Sequence, residues 1–114
     1  MRLVVSGGRY FTDEAIVFAA LDTLLDQNAI DCIAHGGCEG ADLVSAKWAE
    51  SRGVPSKVYD ADWDSGRPAG PMRNERMLRA EKPDWVVTFP GGSGTRTLVE
   101  QARRFRLHVL EVEG

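Results

Sequence analysis

The segment Pro90-Gly91-Gly92-Ser93-Gly94-Thr95 sets three glycines and two hydroxyl side chains between an apolar run and an amphipathic one. Glycines in such a turn let backbone N–H groups approach an anion with no Cβ in the way, and a helix starting there adds its partial positive charge. The chemistry on offer is the holding of a phosphate. Ser93 or Thr95 could cap the helix and also donate a hydroxyl. Gly7-Gly8 and Gly36-Gly37 stand in the same relation to two earlier apolar runs. One pair alone reads as a tight turn between strand and helix, whereas three on the same edge point to a binding crevice. The loop follows neither Gly-x-Gly-x-x-Gly nor Gly-Lys-Ser/Thr, so hydride transfer and ATP hydrolysis lack their usual support.

Polar residues cluster around these turns. Arg9 follows the first pair and could hold phosphate bidentately, or lie solvated in its loop. Asp42, just after Gly40, is either an ordinary first-turn acid or an acceptor for a ribose or base. The irregular stretch 61–70 carries Asp62 and Trp63, and Trp63 could stack on a base or cover an edge of the core. It leads into Arg73 and Asn74. A cation near a helix start is electrostatically awkward; a bound anion would relieve it, and a salt bridge to Glu75 or Asp64 is the alternative. His35 closes a strand at the same edge, as a ligand contact or as a satisfied strand-end histidine. With Cys38 it offers only two metal ligands at that spacing, so no metal is expected. Arg103, Arg104 and Arg106 sit where a helix end favours cations. Cys32, Trp48 and Trp85 fall in apolar patterns and read as core.

Positioning these residues requires alternating strands and helices. Leu3–Val5, Asp31–His35, Ser56–Tyr59, Trp85–Phe89 and His108–Val112 read as five strands. Near-continuous apolar strands imply a sheet covered on both faces. Helices are predicted over about 13–28, 40–52 and 70–81, with a last one carrying Leu98, Val99, Ala102 and Phe105 as a core stripe. The expected fold is α/β, a Rossmann-like doubly wound parallel sheet of order 3-2-1-4-5 with helices on both faces. Ligands bind such sheets at the carboxyl ends of the strands, where the order reverses. A length of 114 residues suits one domain, 1–114. The net charge of −3 argues against duplex nucleic acid as the main partner. Short apolar runs and the immediate strand at the N-terminus argue against a membrane span or signal peptide and set a cytoplasmic expectation.

The series Ser6-Gly7-Gly8-Arg9-Tyr10-Phe11, His35-Gly36-Gly37-Cys38-Glu39-Gly40-Ala41-Asp42, Ala61-Asp62-Trp63, Ala69-Gly70-Pro71-Met72-Arg73-Asn74 and Phe89-Pro90-Gly91-Gly92-Ser93-Gly94-Thr95 closely resembles the small YspA-like (cpYpsA-related) branch of the SLOG superfamily. The resemblance covers essentially the whole chain. It implies a Rossmann-like domain that senses or processes nucleotide-derived ligands such as ADP-ribose, with no cofactor and, by analogy, a homodimer. The related LOG-type phosphoribohydrolases share the Pro-Gly-Gly-x-Gly-Thr loop and an arginine matched by Arg73. Their glutamate three residues after the threonine is Leu98 here, and Glu100 lies about 200° away around a helix. The leading expectation is therefore a nucleotide-binding module. An N-glycosidic hydrolase would need a carboxylate, with Asp42, Asp62 and Glu39 as candidates. A non-catalytic partner-binding subunit is the third reading.

Overall fold

A computed structural model describes residues 1–114. Five strands, β1 (Arg2–Ser6), β2 (Cys32–His35), β3 (Ser56–Val58), β4 (Trp85–Thr88) and β5 (His108–Glu111), form one parallel sheet in the order β3-β2-β1-β4-β5. Four helices connect them: α1 (Glu14–Gln27), α2 (Ala41–Ser51), α3 (Ala69–Glu81) and α4 (Ser93–Arg104), with a 3-10 turn at Trp63–Ser65. The expected doubly wound α/β topology is the observed one. No helix is long and apolar enough to cross a membrane.

Strand alternation divides the core into two layers. Leu3, Val5, Ile33 and Val87 pack with Val17 and Leu21 of α1 and Trp48 of α2. Val4, Ala34 and Val86 pack on the opposite face with Met77 and Leu78 of α3 and Leu98 and Ala102 of α4. The middle positions of the central strands must therefore be apolar on both faces, because each residue there meets a helix layer. Asp13 caps α1 by accepting from the Ile16 N–H at 3.2 Å. The α1–α2 pair is pinned by Asp22, whose carboxylate accepts from Trp48 Nε1 and from Arg52.

Two local expectations fail. Phe105 does not continue the core stripe of α4. It lies one residue beyond the helix, 37% exposed, with the Arg79 guanidinium 5.0 Å from its ring centroid. The chain turns away there through Arg106 at φ 58°, and the Leu107 N–H donates to the Ala102 carbonyl, which closes the helix a residue too early for the stripe. Neither Ser93 nor Thr95 caps α4. Gly92 occupies the cap position, and no side chain accepts from the first-turn amides.

At the far end of α3, Glu81 is almost fully buried and serves as a junction between strands. Its carboxylate accepts from the Tyr59 hydroxyl and lies 3.5 Å from both Arg2 and Lys57, while the Cys32 thiol points at it from 3.9 Å. Burial alone would raise its pKa, but the Tyr59 hydroxyl, Lys57 and Arg2 outweigh burial and hold it below 4.5. The folded protein thus binds this proton less tightly than the unfolded chain. Its stabilisation is complete above the ordinary value of 4.5 and is lost as pH falls through the lower folded value. Arg2 and Lys57 are half exposed and can turn to water, so Glu81→Gln is expected to cost about 1–3 kcal/mol at pH 7 rather than the full penalty of a stranded charge. Urea unfolding should show that deficit shrinking towards pH 3; an equal deficit at both pH values would contradict the charged junction.

Candidate functional site

The sheet order reverses between β1 and β4, and the loops that follow these strands close against each other. Gly8 donates its N–H to the Pro90 carbonyl at 2.9 Å, and a Cβ on Gly8 would stand 2.8 Å from that oxygen. The Gly8 carbonyl in turn accepts from the Phe11 and Ala41 amides. Phe11 turns inward and stacks on Phe89 with centroids 6.0 Å apart, leaving Arg9 and Tyr10 outside. Gly7 lets β1 pack against α2: a Cβ there would lie 2.5 Å from that of Ala41. The first glycine pair thus makes a seam on which the β4–α4 loop rests.

The third pair behaves differently. The backbone N–H groups of residues 91 to 95 donate to no protein acceptor, and the first amide to do so is that of Arg96, to the Gly92 carbonyl. Five successive donors therefore point away from protein partners at the amino end of α4, where the helix dipole adds positive potential. A Cβ on Gly92 or Gly94 would meet nothing within 4 Å. This is the physical form of an anion cradle.

The second pair supplies no such donors. The Gly36 and Cys38 amides both donate to Asp42 Oδ2, at 3.1 and 3.3 Å, and the Gly37 amide donates to His35 Nδ1 at 3.0 Å. The β2–α2 loop already holds an anion of its own. Gly36 has another role, because a Cβ there would fall 2.3 Å from Arg73 Nη1. The absent side chain lets the guanidinium lie against the loop, where Nη1 donates to the Gly36 and Tyr59 carbonyls and Nε to Asn74 Oδ1. Arg73 makes no salt bridge, and its Nη2 has no protein acceptor; Glu75 pairs instead with Arg79. Arg73 is thus a cation fixed by carbonyls rather than by a carboxylate.

These loops enclose a crevice of about 1140 Å³. The structure brings Gly7, Gly8, Arg9, Asp42, Trp63, Arg73, Asn74 and Gly91, Gly92, Ser93, Gly94 and Thr95 to its walls. It does not bring His35, Gly36, Gly37, Gly40, Glu39 or Asp62 there. His35 is buried with its Nδ1 engaged, so a neutral ring carries its proton on Nε2, which has no partner. Burial, then the charge of Arg73, lowers its pKa. Gly40 works as a hinge at φ 79°, its missing side chain admitting the Gly8 carbonyl at 2.3 Å from where a Cβ would stand. Asp62 caps the 3-10 turn, accepting from the Asp64 amide and the Ser65 hydroxyl. Tyr10, Cys38 and Arg67 also line the crevice, beyond the residues whose types and spacing point to a nucleotide ligand. Tyr10 was legible in the sequence, since an aromatic beside Gly7-Gly8-Arg9 shares their loop; Cys38 carried no such signal.

Asp42 is the unusual group of the site. It is 4% exposed, its Oδ2 takes two amides, and its Oδ1 has no partner. Burial pushes its carboxyl up to about 6, against the opposing pull of the Cys38 and Gly36 amides and of Arg73. A smaller depression of about 570 Å³ lies on the other side of the glycine loop beside β5 and shares Gly91, Gly92 and Thr95; it adds Arg96, but Glu100, Glu111 and Glu113 also line it, and Glu111 pairs with Arg103 at 2.9 Å. The larger crevice joins all five residues of the amide run to a cation, Arg73, that carbonyls hold in place and no carboxylate neutralises, and its lining carries one acidic residue, Asp42.

A parallel sheet with paired glycine turns at its reversal point defines a Rossmann-like α/β protein with a crevice at the strand ends. Residues 1–66 match the sequence profile of the YspA, cpYpsA-related SLOG family. The chain is also 32% identical over 118 residues to the Gene 61 protein of Mycobacterium phage D29, a match covering 96% of this chain and 94% of that one. The chain belongs to the YspA, cpYpsA-related SLOG family. Membership accords with a nucleotide-related ligand.

Proposed function

We propose that this protein binds a nucleotide-derived, phosphate-bearing ligand in the β1–β4 crevice, as a recognition module of the kind a sensor uses. The observation that carries the reading is the run of five amides at residues 91–95 without protein acceptors, at a helix amino end. Arg73 supplies a rigid cation to the same crevice, and Asp42 a buried carboxylate in its wall.

One observation favours a second reading, hydrolysis of an N-glycosidic bond. A carboxyl pushed up to about 6 and lining the crevice has the proton affinity of a general acid or base near neutral pH. Of the three carboxylates raised by the sequence, only Asp42 lines the crevice, and Leu98 is 1% exposed within the core. Calorimetry with AMP and ADP-ribose, followed by chromatography of the mixture, separates the two. Saturable heat with the nucleotide recovered intact is the expected result. Free adenine, lost in Asp42→Asn, would establish the hydrolase; absence of heat with either compound would refute nucleotide binding.

A further inference from the structure

Two aromatic side chains on this surface are held out in solvent. Tyr10 is 88% exposed and Trp63 is 63% exposed, and both line the crevice that contains the amide run. Neither sits on a loose tether. The backbone beside Tyr10 is fixed by the Phe11 N–H donating to the Gly8 carbonyl, and by the Phe11 ring stacked on Phe89. Trp63 opens the 3-10 turn that Asp62 caps, and its carbonyl accepts from the Gly66 amide at 3.1 Å. Its indole edge reaches the first turn of α3 at Gly70, where even a Cβ would make only ordinary contact at 3.4 Å. Trp63 is therefore no cover for the core. A large apolar ring kept in water on a rigid support, within a cationic crevice, suits a ligand that is itself flat and anionic.

We infer that Tyr10 and Trp63 form the base-binding wall of the crevice, so that the ligand is a nucleoside phosphate recognised by its planar base as well as by its phosphate. The inference rests on the phosphate cradle proposed above and adds a second contact to it. Stacking on an aromatic face tolerates any base, so this wall selects for the presence of a base rather than for its identity. The phosphate is left to the residue 91–95 amides, and Arg67 adds a further cation on the Trp63 side of the chain.

The test compares AMP with ribose 5-phosphate by calorimetry on the whole protein and on the variants Trp63→Ala, Trp63→Phe and Tyr10→Ala. The wild type should bind AMP about 10-fold to 100-fold more tightly than ribose 5-phosphate. Trp63→Ala should remove most of that preference and leave ribose 5-phosphate affinity unchanged, which also shows that the variant is folded. Trp63→Phe should keep most of the preference, and Tyr10→Ala should reduce it several-fold. Equal wild-type affinity for the two ligands would overturn the base wall while sparing the cradle. A Trp63→Ala loss shared equally by both ligands would overturn it too. Failure of both ligands to bind the wild type would sink the cradle, and this inference with it.

Discussion

Replacing Asp42 with asparagine is expected to make the protein more stable at pH 7 while weakening its hold on nucleotide. The asparagine oxygen can still accept from the Gly36 and Cys38 amides, and the buried charge is gone. Burial raises the Asp42 carboxyl from 3.8 to about 6, so the folded state binds the proton more tightly than the unfolded chain. Stability contributed by this group is then fully present below pH 3.8 and is lost as pH rises to about 6. Above that range the ionised carboxylate costs the fold about 3 kcal/mol. The asparagine NH₂ replaces an oxygen that has no partner and will lack one itself, which offsets part of the gain. A net stabilisation of about 1–2 kcal/mol remains at pH 7, equivalent to a rise of roughly 5–10 °C in Tm for a domain of this size. Thermal unfolding at several pH values checks this, because the gap between variant and wild type should open between pH 4 and pH 6. A gap that stays flat across that range, or a variant less stable at pH 7, would contradict it. A destabilising group kept at a crevice wall is the pattern of a functional residue, which is why the stabilised variant should bind more weakly.

The second large effect separates two adjacent glycines. A Cβ on Gly91 would lie 2.3 Å from Thr95 Oγ1 and 2.7 Å from the Gly8 nitrogen. Gly91→Ala must therefore push apart the seam between the β1 and β4 loops, at a cost of about 1–3 kcal/mol. A Cβ on Gly92 meets nothing within 4 Å, and its φ of −98° lies outside the left-handed region. Gly92→Val should cost about 1–2 kcal/mol, the difference between good and poor cap residues. Its isopropyl group nevertheless stands beside the unpartnered amides, and AMP affinity should fall about 100-fold or more, in keeping with a loss of several charge-assisted hydrogen bonds. Urea unfolding and calorimetry on both variants give the four numbers needed. Wild-type affinity in Gly92→Val would count against the cradle, and an undisturbed Gly91→Ala would count against the seam.

Much of this was legible in the residues because burial leaves a period. Leu3–Val5 and Trp85–Val87 are apolar throughout, which requires helices on both faces, and the glycine turns follow such runs at one edge. Leu98 sat on a helical stripe and is indeed core. Periodicity does not say where a helix stops, so Phe105 was assigned to a face that ends before it. Nor does composition say which acceptor an amide will find. Gly36-Gly37 and Gly91-Gly92 look alike as letters, yet Asp42, folding back from the first turn of α2, takes the Gly36 and Cys38 amides and His35 Nδ1 takes that of Gly37, while nothing in the protein takes those of the other loop. Arg73 was expected to need an anion or a carboxylate. It is held by the Gly36 and Tyr59 carbonyls, a pairing between loops that are distant in sequence and meet only across the folded sheet.

Amide chemical shifts report directly where a phosphate sits. Titrating ¹⁵N-labelled protein with AMP in a two-dimensional proton–nitrogen NMR experiment follows each backbone N–H separately. The largest shifts should fall on residues 91 to 95, with smaller ones at Arg9 and Asp42 and little change at Gly36 and Gly37, whose donors are already engaged. Saturating shifts confined to other residues, or none at all up to millimolar AMP, would contradict the cradle.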